Sequence, residues 1–191
     1  VHTEKGELQA LAKEMLPHPA GHVLLYKSTI PGIVTVNMTN VTDIDGTNAE
    51  DLTKAEIICR KQIKPIIEFL KEYAPHFGKD QLVIDCCGTK KTVCNAGFKL
   101  AEKYGFLFMG GHPMAGREFS GFSYSKDDLF ENASMILTPD TDCPIEERQW
   151  AKDFFLSVGF LRVRFTTPEH HDEIIGYTSQ MAHVVSSAYV K

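Results

Sequence analysis

The sequence has no run of apolar residues long enough to cross a membrane, although 43% of its 191 residues are hydrophobic. We therefore expect no transmembrane helix and no membrane partner. The first residues, VHTEKGELQ, are polar and charged, and they lack the pattern of a secretory signal peptide. Positive charge is also scarce, because 20 Lys and Arg against 25 Asp and Glu give a net charge of −5. This balance gives no electrostatic basis for binding nucleic acid.

Cysteine pairs with metal-site spacing are absent as well. The chain has five cysteines, an odd number, with Cys86 and Cys87 adjacent and no C-x-x-C pair. This pattern suits neither a disulfide framework nor a zinc site, and no set of histidines and carboxylates has metal-site spacing. We therefore expect no bound metal and a reducing, cytoplasmic location.

Short apolar runs alternate with segments of helical period along residues 1–167. The runs predicted as strands are HVLLY (22–26), AEIIC (55–59), QLVID (81–85), FLFM (106–109), SMILT (134–138) and FLRVRF (160–165). Most are too apolar for a half-exposed strand, so we expect a sheet covered on both faces. The alternation predicts an α/β fold with a doubly wound, mainly parallel sheet.

Glycine and proline mark the ends of two predicted helices. Residues 89–104 carry apolar side chains at helical spacing, and Gly105 stands where a C-terminal cap glycine belongs. Pro144 and Gly159 bound the next helix, which fits the preference for proline at the start and glycine at the end.

Residues 168–191 follow a different pattern. Apolar or small side chains recur there every three or four residues, at Ile174, Thr178, Met181, Val185 and Ala188. This spacing predicts a long amphipathic helix, and no strand follows it. We expect the start of a helical domain, or a helix that packs on another subunit.

Two loops are candidates for a ligand site, because ligands of open α/β sheets bind beyond the carboxyl ends of the strands. The loops are DCCGTKK (85–91) and GGHPMAG (110–116). Together they would place Asp85, Gly88, Thr89 and Lys90 near His112, with the positive end of a helix aimed at the same crevice. The alternatives are a structural turn at His112, and Thr89 as an N-cap beside solvated lysines.

The histidines near the C-terminus offer weaker signals. His170 and His171 are each typical of a polar helix surface. Ser179 and His183 lie four residues apart, so they share a helix face and can address one ligand together.

Three segments together resemble the prephenate dehydrogenase family: VIDCCGTKK, GGHPMAGREFSGFSYSKDDLFENASMILTP and HHDEIIGYTSQMAHVVSSAYVK. The combination of HPMAG, LFENA and ILTP in this order is far more specific than a lone glycine motif. The resemblance implies a Rossmann-like dinucleotide-binding domain at 1–167. It also implies that 168–191 is the first helix of an all-helical dimerisation domain that continues past Lys191, and that the protein is a homodimer.

The same resemblance implies oxidative decarboxylation of prephenate, with hydride passing to a nicotinamide, in tyrosine biosynthesis. By its place in HPMAG, His112 matches the catalytic histidine, and a neutral imidazole suits removal of a hydroxyl proton near pH 7. Ser179 and His183 match the S-x-x-x-H pair that family members present to the substrate. Gly116, Arg117 and Glu118 are further candidates for substrate binding, with a solvated surface cation as the alternative for Arg117. The implied cofactor-binding residues are Lys27, Ser28, Thr29, Asp85, Gly88, Thr89 and Lys90.

The sequence departs from the family pattern at two places near the cofactor. Gly88 stands where the family carries a serine that bonds the histidine, and Thr89 lies beside it. The N-terminal stretch VHTEKGELQALAKEML has only Gly6 where a strand and G-x-G-x-x-G are expected. A catalytically silent binding or regulatory relative is therefore one alternative, and arogenate dehydrogenase is another.

The choice of cofactor depends on residues 27–29. Lysine and hydroxyl side chains there, in place of an acidic residue, favour the 2′-phosphate of NADP over the free ribose of NAD. An ordinary turn with a surface lysine is the alternative.

Overall fold

The computed structural model of the protein describes residues 14–16, 24–27, 34–37, 41–45, 48–116, 128–181 and 185. The chain divides into two compact units, residues 1–77 and residues 78–191. None of the helices in these described ranges is both long and apolar enough to span a bilayer.

The first unit contains a hairpin and a long helix. Strands β1 (Leu24–Lys27) and β2 (Val34–Asn37) pair in antiparallel register, with Leu24 opposite Asn37. Helix α1 (Ala49–Tyr73) follows, and a 3₁₀ turn (Ala74–His76) ends it. The side chain of Asn48 accepts hydrogen bonds from the backbone N–H groups of Glu50 and Asp51, which satisfies two donors of the first turn.

One of the two strand predictions in this unit needs correction. The run AEIIC lies inside α1, so the strand predicted at 55–59 is wrong. Gln62, Ile66 and Phe69, which are buried, continue this segment at spacings of four and three residues, the period of a helix. A short apolar run read without its neighbours does not carry that period. The run HVLLY does form β1, but its partner in the described residues is the antiparallel β2.

The second unit is built on a four-stranded mixed sheet. Its elements are β3 (Leu82–Ile84), α2 (Lys91–Tyr104), β4 (Leu107–Met114), β5 (Ser134–Pro139), α3 (Ile145–Ser157), β6 (Arg162–Phe165) and α4 (Pro168–Ile175). The strand order is β3-β4-β5-β6, with parallel pairs at both ends and an antiparallel pair, β4 with β5, between them. The α/β class and the four strands predicted between residues 81 and 165 are confirmed.

The core of the second unit lies between α3 and the sheet. Its buried members are Met109, Met135, Leu137, Cys143, Ala151 and Phe160. The ring of Phe160 stacks on that of Phe130 at 4.4 Å between centroids, and Phe155 meets it edge-on at 5.8 Å. Burial of each large side chain stabilises the fold by about 1.5–3 kcal/mol, so this cluster fixes the two strands that carry Met109 and Met135.

The predicted helix ends are confirmed where glycine or proline marks them. Gly105 has φ +82, and its N–H donates to the carbonyl of Ala101 as the C-cap of α2. Pro144 is the N-cap of α3, and Gly159 follows its end with φ +113. Both glycines adopt a left-handed conformation that other residues rarely tolerate.

The C-terminal segment begins with a capped helix. The hydroxyl of Thr167 accepts a hydrogen bond of 3.2 Å from the N–H of His170, and α4 then continues into a π-helical turn (Gly176–Gln180). Of the five residues that recur at helical spacing in this segment, those at 174, 178, 181 and 185 are exposed. The fifth, Ala188, lies outside the described residues. The assignment of residues 168–191 to a separate dimerisation domain stays a prediction.

Gly97 gives a direct test of how α2 packs on β4. A Cβ atom added there would lie 2.5 Å from Cζ of Phe108, so Gly97→Ala forces the ring or the helix to move. We expect the variant to lose about 1–3 kcal/mol of unfolding free energy, the usual cost of overpacking. Urea unfolding followed by the fluorescence of Trp150, the single tryptophan, reports on this unit.

Gly176→Ala is the matched control, because Gly176 has helical dihedrals (φ −56, ψ −42) and, among the described residues, no atom lies within 4 Å of an added Cβ. We expect its stability to be unchanged or slightly higher. Equal unfolding midpoints for Gly97→Ala and the wild type would contradict the packing described here.

Candidate functional site

The candidate site forms around His112, which lies on β4 opposite Ile136 of β5. The two glycines before it allow β4 to approach its neighbours closely. A Cβ atom at Gly111 would lie 2.5 Å from the backbone oxygen of Asp85 and 2.7 Å from Cε of Met135. The backbone at this point therefore has no room for a side chain, and Gly110 and Gly111 are needed for packing.

A buried ion pair holds the peptide groups of Gly111. Asp85 follows β3, and its Oδ2 accepts a hydrogen bond of 3.2 Å from the N–H of Gly111. Lys90, whose side chain is 0% exposed, donates from Nζ to the carbonyl of Gly111 at 2.5 Å and to Oδ1 of Asp85. The same Oδ1 accepts from the N–H of Cys87 at 2.8 Å. Both polar backbone groups of Gly111, the residue before His112, are thus fixed by Asp85 and Lys90.

A second set of hydrogen bonds links His112 to α4. Nδ1 of His112 lies 2.8 Å from Nε2 of His171, and Nδ1 of His171 lies 2.8 Å from Oδ1 of Asp172. The two imidazole centroids are 5.1 Å apart, with the rings inclined at 60°. His171 is 2% exposed, so the central imidazole is shielded from water, whereas His112 and Asp172 are partly exposed.

Asp172 also caps helix α2. Its Oδ1 accepts from the backbone N–H of Lys90 at 2.7 Å, and its Oδ2 accepts from that of Lys91 at 2.9 Å. Partial burial opposes ionisation of the carboxyl group. The two backbone hydrogen bonds and the contact with His171 outweigh it and lower the pKa of Asp172 below its usual value.

These contacts correct three interpretations of the sequence. Thr89 is not the N-cap of α2, because that position is held by Lys90 and the capping oxygens come from Asp172. Lys90 is not a solvated lysine but a fully buried one. His171 is not a surface residue, although its neighbour His170 is. Asp172 lies more than eighty residues along the chain from the helix that it caps, so local sequence does not reveal the pairing.

The opposite side of His112 faces the loop between β3 and α2. A Cβ atom added at Gly88 would lie 3.9 Å from Nε2 of His112, and no other atom of the described residues lies within 4 Å of it. Gly88 is exposed, and both it and this nitrogen lie at the carboxyl ends of strands, the edge of an α/β sheet where ligands bind. The thiol of Cys87 offers no nucleophile there, because burial and then the charge of Asp85 raise its pKa to about 12.

The structure brings together four of the predicted cofactor-binding residues, Asp85, Gly88, Thr89 and Lys90, in the loop beside His112. Gly116 is exposed, and no atom in the described part of the chain lies within 4 Å of a Cβ added to it. Lys27 ends β1 and Ser179 lies in the π-helical turn, but their side chains are outside the described residues. Outside them too are Ser28, Thr29, Arg117, Glu118 and His183. The roles of these seven residues stay predictions.

Sequence reasoning did not assign a role to His171 and Asp172. A usable signal is present, because Pro168, His171 and Ile175 lie three and four residues apart and all three are buried. That spacing places His171 on the inner face of α4. Within the part of the chain that the structure describes, no group of three or more His, Cys, Asp or Glu side chains is placed to hold a metal ion.

Comparison with known sequences supports the resemblance noted above. The family profile described as "Prephenate dehydrogenase, nucleotide-binding domain" matches residues 21–163. Prephenate dehydrogenase from Bacillus subtilis is 32% identical over 139 residues, which make up 71% of this chain and 36% of that protein. The chain therefore spans little more than a third of the length of this relative.

Two solved structures share the fold. Prephenate dehydrogenase from Aquifex aeolicus, in complex with hydroxyphenyl propionate and NAD+, matches with a TM-score of 0.56 and 32% identity. The match covers 67% of this chain and 43% of that one. Arogenate dehydrogenase from Synechocystis matches with a TM-score of 0.57 and 26% identity, over 67% of this chain and 44% of that one.

The cap that Asp172 provides leads to a prediction about pH. Asp172→Ala removes the acceptor for two backbone N–H groups of α2, so we expect a loss of about 1–2 kcal/mol at pH 7. The pKa of Asp172 is lowered in the folded state. The stability that its carboxylate contributes is therefore complete above the pKa of the unfolded state, about 3.9, and is lost as the pH falls through the pKa of the folded state. The stability difference between wild type and variant should therefore shrink below about pH 4.

Urea unfolding at a series of pH values, followed by Trp150 fluorescence, measures this difference. Glu173→Ala is the control, because Glu173 is the exposed neighbour on the same helix. A difference between wild type and Asp172→Ala that stays constant from pH 7 to about pH 3 would show that the ionised carboxylate is not the stabilising group.

Proposed function

This chain belongs to the prephenate dehydrogenase family, and we propose that it catalyses the oxidative decarboxylation of prephenate to 4-hydroxyphenylpyruvate with a nicotinamide dinucleotide. The observation that carries the proposal is the placement of His112. Its backbone is held through Gly111 by Asp85 and Lys90, and its Nε2 faces the space beside Gly88. An imidazole held in place at the carboxyl end of a strand is the arrangement that removal of a hydroxyl proton requires.

The proposed chemistry needs one proton-transfer group from the protein. His112 accepts the proton of the substrate hydroxyl at Nε2 while the carbon that bears the hydroxyl gives up hydride. The nicotinamide, when bound, supplies the acceptor for that hydride. The carboxylate on the ring then leaves as carbon dioxide, and its bonding electrons make the ring aromatic. The proton on His112 can return to the phenolate oxygen, which leaves the imidazole neutral for the next cycle.

The loop 85–90 is the part of this chain that would hold the nicotinamide end of the cofactor. Gly88 leaves room beside His112, and Thr89 is half-buried next to it. Asp85 and Lys90 support this loop from within, since their charged groups bond to each other and to Gly111. Their proposed contribution to cofactor binding is therefore to hold the loop in shape.

The proposed substrate contacts come from the family resemblance. We assign recognition of the substrate to Ser179, His183, Gly116, Arg117 and Glu118. Arg117 is the cation among them, and a doubly anionic substrate requires positive charge at its carboxylates. The exposed apolar side chains of Ile174, Met181 and Val185 support a homodimer through the C-terminal helices. A cytoplasmic location completes the proposal.

The cofactor and substrate each have two candidates. NADP is favoured by Lys27, Ser28 and Thr29, whereas the Aquifex relative was solved with NAD+. Arogenate is the second candidate substrate because the Synechocystis enzyme shares the fold over the same fraction of the chain. Values of kcat/KM for prephenate and arogenate, each with both cofactors, separate the four combinations.

The test of the proposed role is His112→Asn. Removal of the base should lower kcat about 10²- to 10⁴-fold while the dissociation constants for NAD and NADP stay within about threefold of the wild type. Reduced nicotinamide is measured by absorbance, and cofactor binding by calorimetry on the same purified protein. His170→Asn is the matched control, because this histidine is exposed and its ring contacts Glu173 on the same helix.

Turnover by His112→Asn at the wild-type rate would refute the role of His112. Binding of prephenate without turnover by the wild-type protein would favour the catalytically silent relative.

A further inference from the structure

We propose that His171, oriented by Asp172, fixes the neutral tautomer of His112 with its proton on Nδ1 and its lone pair on Nε2. This inference rests on the proposed function, because it names the pair that prepares His112 to act as a base. His171 and Asp172 are thus positioning residues, which act on the substrate only through His112.

Asp172 has no proton to give. Its two oxygens accept hydrogen bonds from the backbone N–H groups of Lys90 and Lys91, and Oδ1 also meets Nδ1 of His171. These donors favour the ionised carboxylate. A carboxylate can only accept, so Nδ1 of His171 must carry a proton and donate it to Asp172.

The proton on Nδ1 of His171 determines the next hydrogen bond. In the neutral imidazole of His171, Nε2 is then an acceptor, and it lies 2.8 Å from Nδ1 of His112. Nδ1 of His112 must therefore donate. The neutral ring of His112 has one proton, so its lone pair is on Nε2, the nitrogen that faces Gly88.

The reverse direction of this hydrogen bond, with His171 as the donor and His112 as the acceptor, requires an additional proton. Nδ1 of His112 could accept only if His171 carried protons on both nitrogens, as an imidazolium. That is the state reached after the base has acted. When Nε2 of His112 takes the hydroxyl proton, the proton on its Nδ1 can pass to Nε2 of His171. The positive charge then lies beside the carboxylate of Asp172, and no other reactant is needed. A carboxylate that fixes a tautomer and stabilises an imidazolium plays this part in Ser-His-Asp triads.

The burial of the pair supports a fixed geometry. His171 is 2% exposed, and its helix is tied to α2 through the two N–H groups that Asp172 accepts. Water therefore has little access to compete for the hydrogen bond between the two imidazoles. His170, one residue earlier, is exposed and has no part in this chain of bonds, so it provides a control on the same helix.

The test compares three variants, His171→Leu, His171→Gln and the control His170→Leu, by nitrogen NMR of the imidazoles. Spectra are recorded above about pH 8, where an ordinary imidazole is neutral, and His112→Asn assigns the signals of His112. We expect the wild type and His170→Leu to show a protonated Nδ1 and an unprotonated Nε2 on His112. His171→Leu should lose this preference, and His171→Gln, which retains a carbonyl oxygen as an acceptor, should keep part of it.

The kinetic readout is the division of the effect between kcat and KM. We expect His171→Leu to lower kcat about 100-fold. This loss lies between two known losses of activity: the loss when a residue that orients a metal-bound histidine is removed, and the loss when the aspartate of a Ser-His-Asp triad is removed. The KM for prephenate should change less than about threefold, and His171→Gln should recover part of kcat. If His171→Leu does not fold, His171→Gln carries the test alone, with an intermediate tautomer preference and kcat expected.

The outcomes separate this inference from the proposed function. A protonated Nε2 on neutral His112 in the wild type would overturn the inference, as would an unchanged tautomer in both His171 variants. The NMR result does not depend on turnover. If the protein lacks dehydrogenase activity but His112 shows the expected tautomer, the proposed function fails and the inference stands.

Discussion

The buried ammonium group of Lys90 is the interaction on which the rest of the site depends. Its Nζ holds Asp85 and the carbonyl of Gly111, while its backbone N–H is held by Asp172. Removing one partner of a buried ion pair typically costs about 3–5 kcal/mol, because the other charge is left without compensation. Lys90 therefore links the loop after β3, the strand that carries His112 and the helix that carries His171.

This linkage explains why the strand before His112 has two glycines. A Cβ at Gly110 would overlap the side chains of Thr138 and Cys94, and one at Gly111 would press on the backbone of Asp85. With those positions empty, the backbone of β4 comes close enough to Asp85 and Lys90 for its polar groups to bond to them. The stability of the sheet and the position of the His112 backbone thus have the same cause, a close backbone approach around one buried charge.

The sequence predicted the parts of this structure that depend on local patterns. The strands between residues 81 and 165, the cap at Gly105 and the proximity of the loop 85–91 to His112 follow from apolar runs, glycine positions and strand order. The strand at 55–59 failed because the run AEIIC, four apolar residues and Glu56, was read without the helical period that continues to Phe69. Asp172 and Lys90 could not be paired from sequence, because their contact joins segments far apart in the chain. Identity as a family member came from motifs, whereas the hydrogen bonds between His112, His171 and Asp172 came only from the structure.

The most direct test of this account is a double-mutant cycle between Lys90→Met and Asp85→Asn. Unfolding by urea is followed through Trp150, which lies in the same compact unit as both residues. If the buried pair holds the site together, the two changes should be strongly non-additive, with a coupling energy of about 2–3 kcal/mol. Effects that add to within about 0.5 kcal/mol would show that Lys90 and Asp85 act independently, and would contradict the central role given to their ion pair.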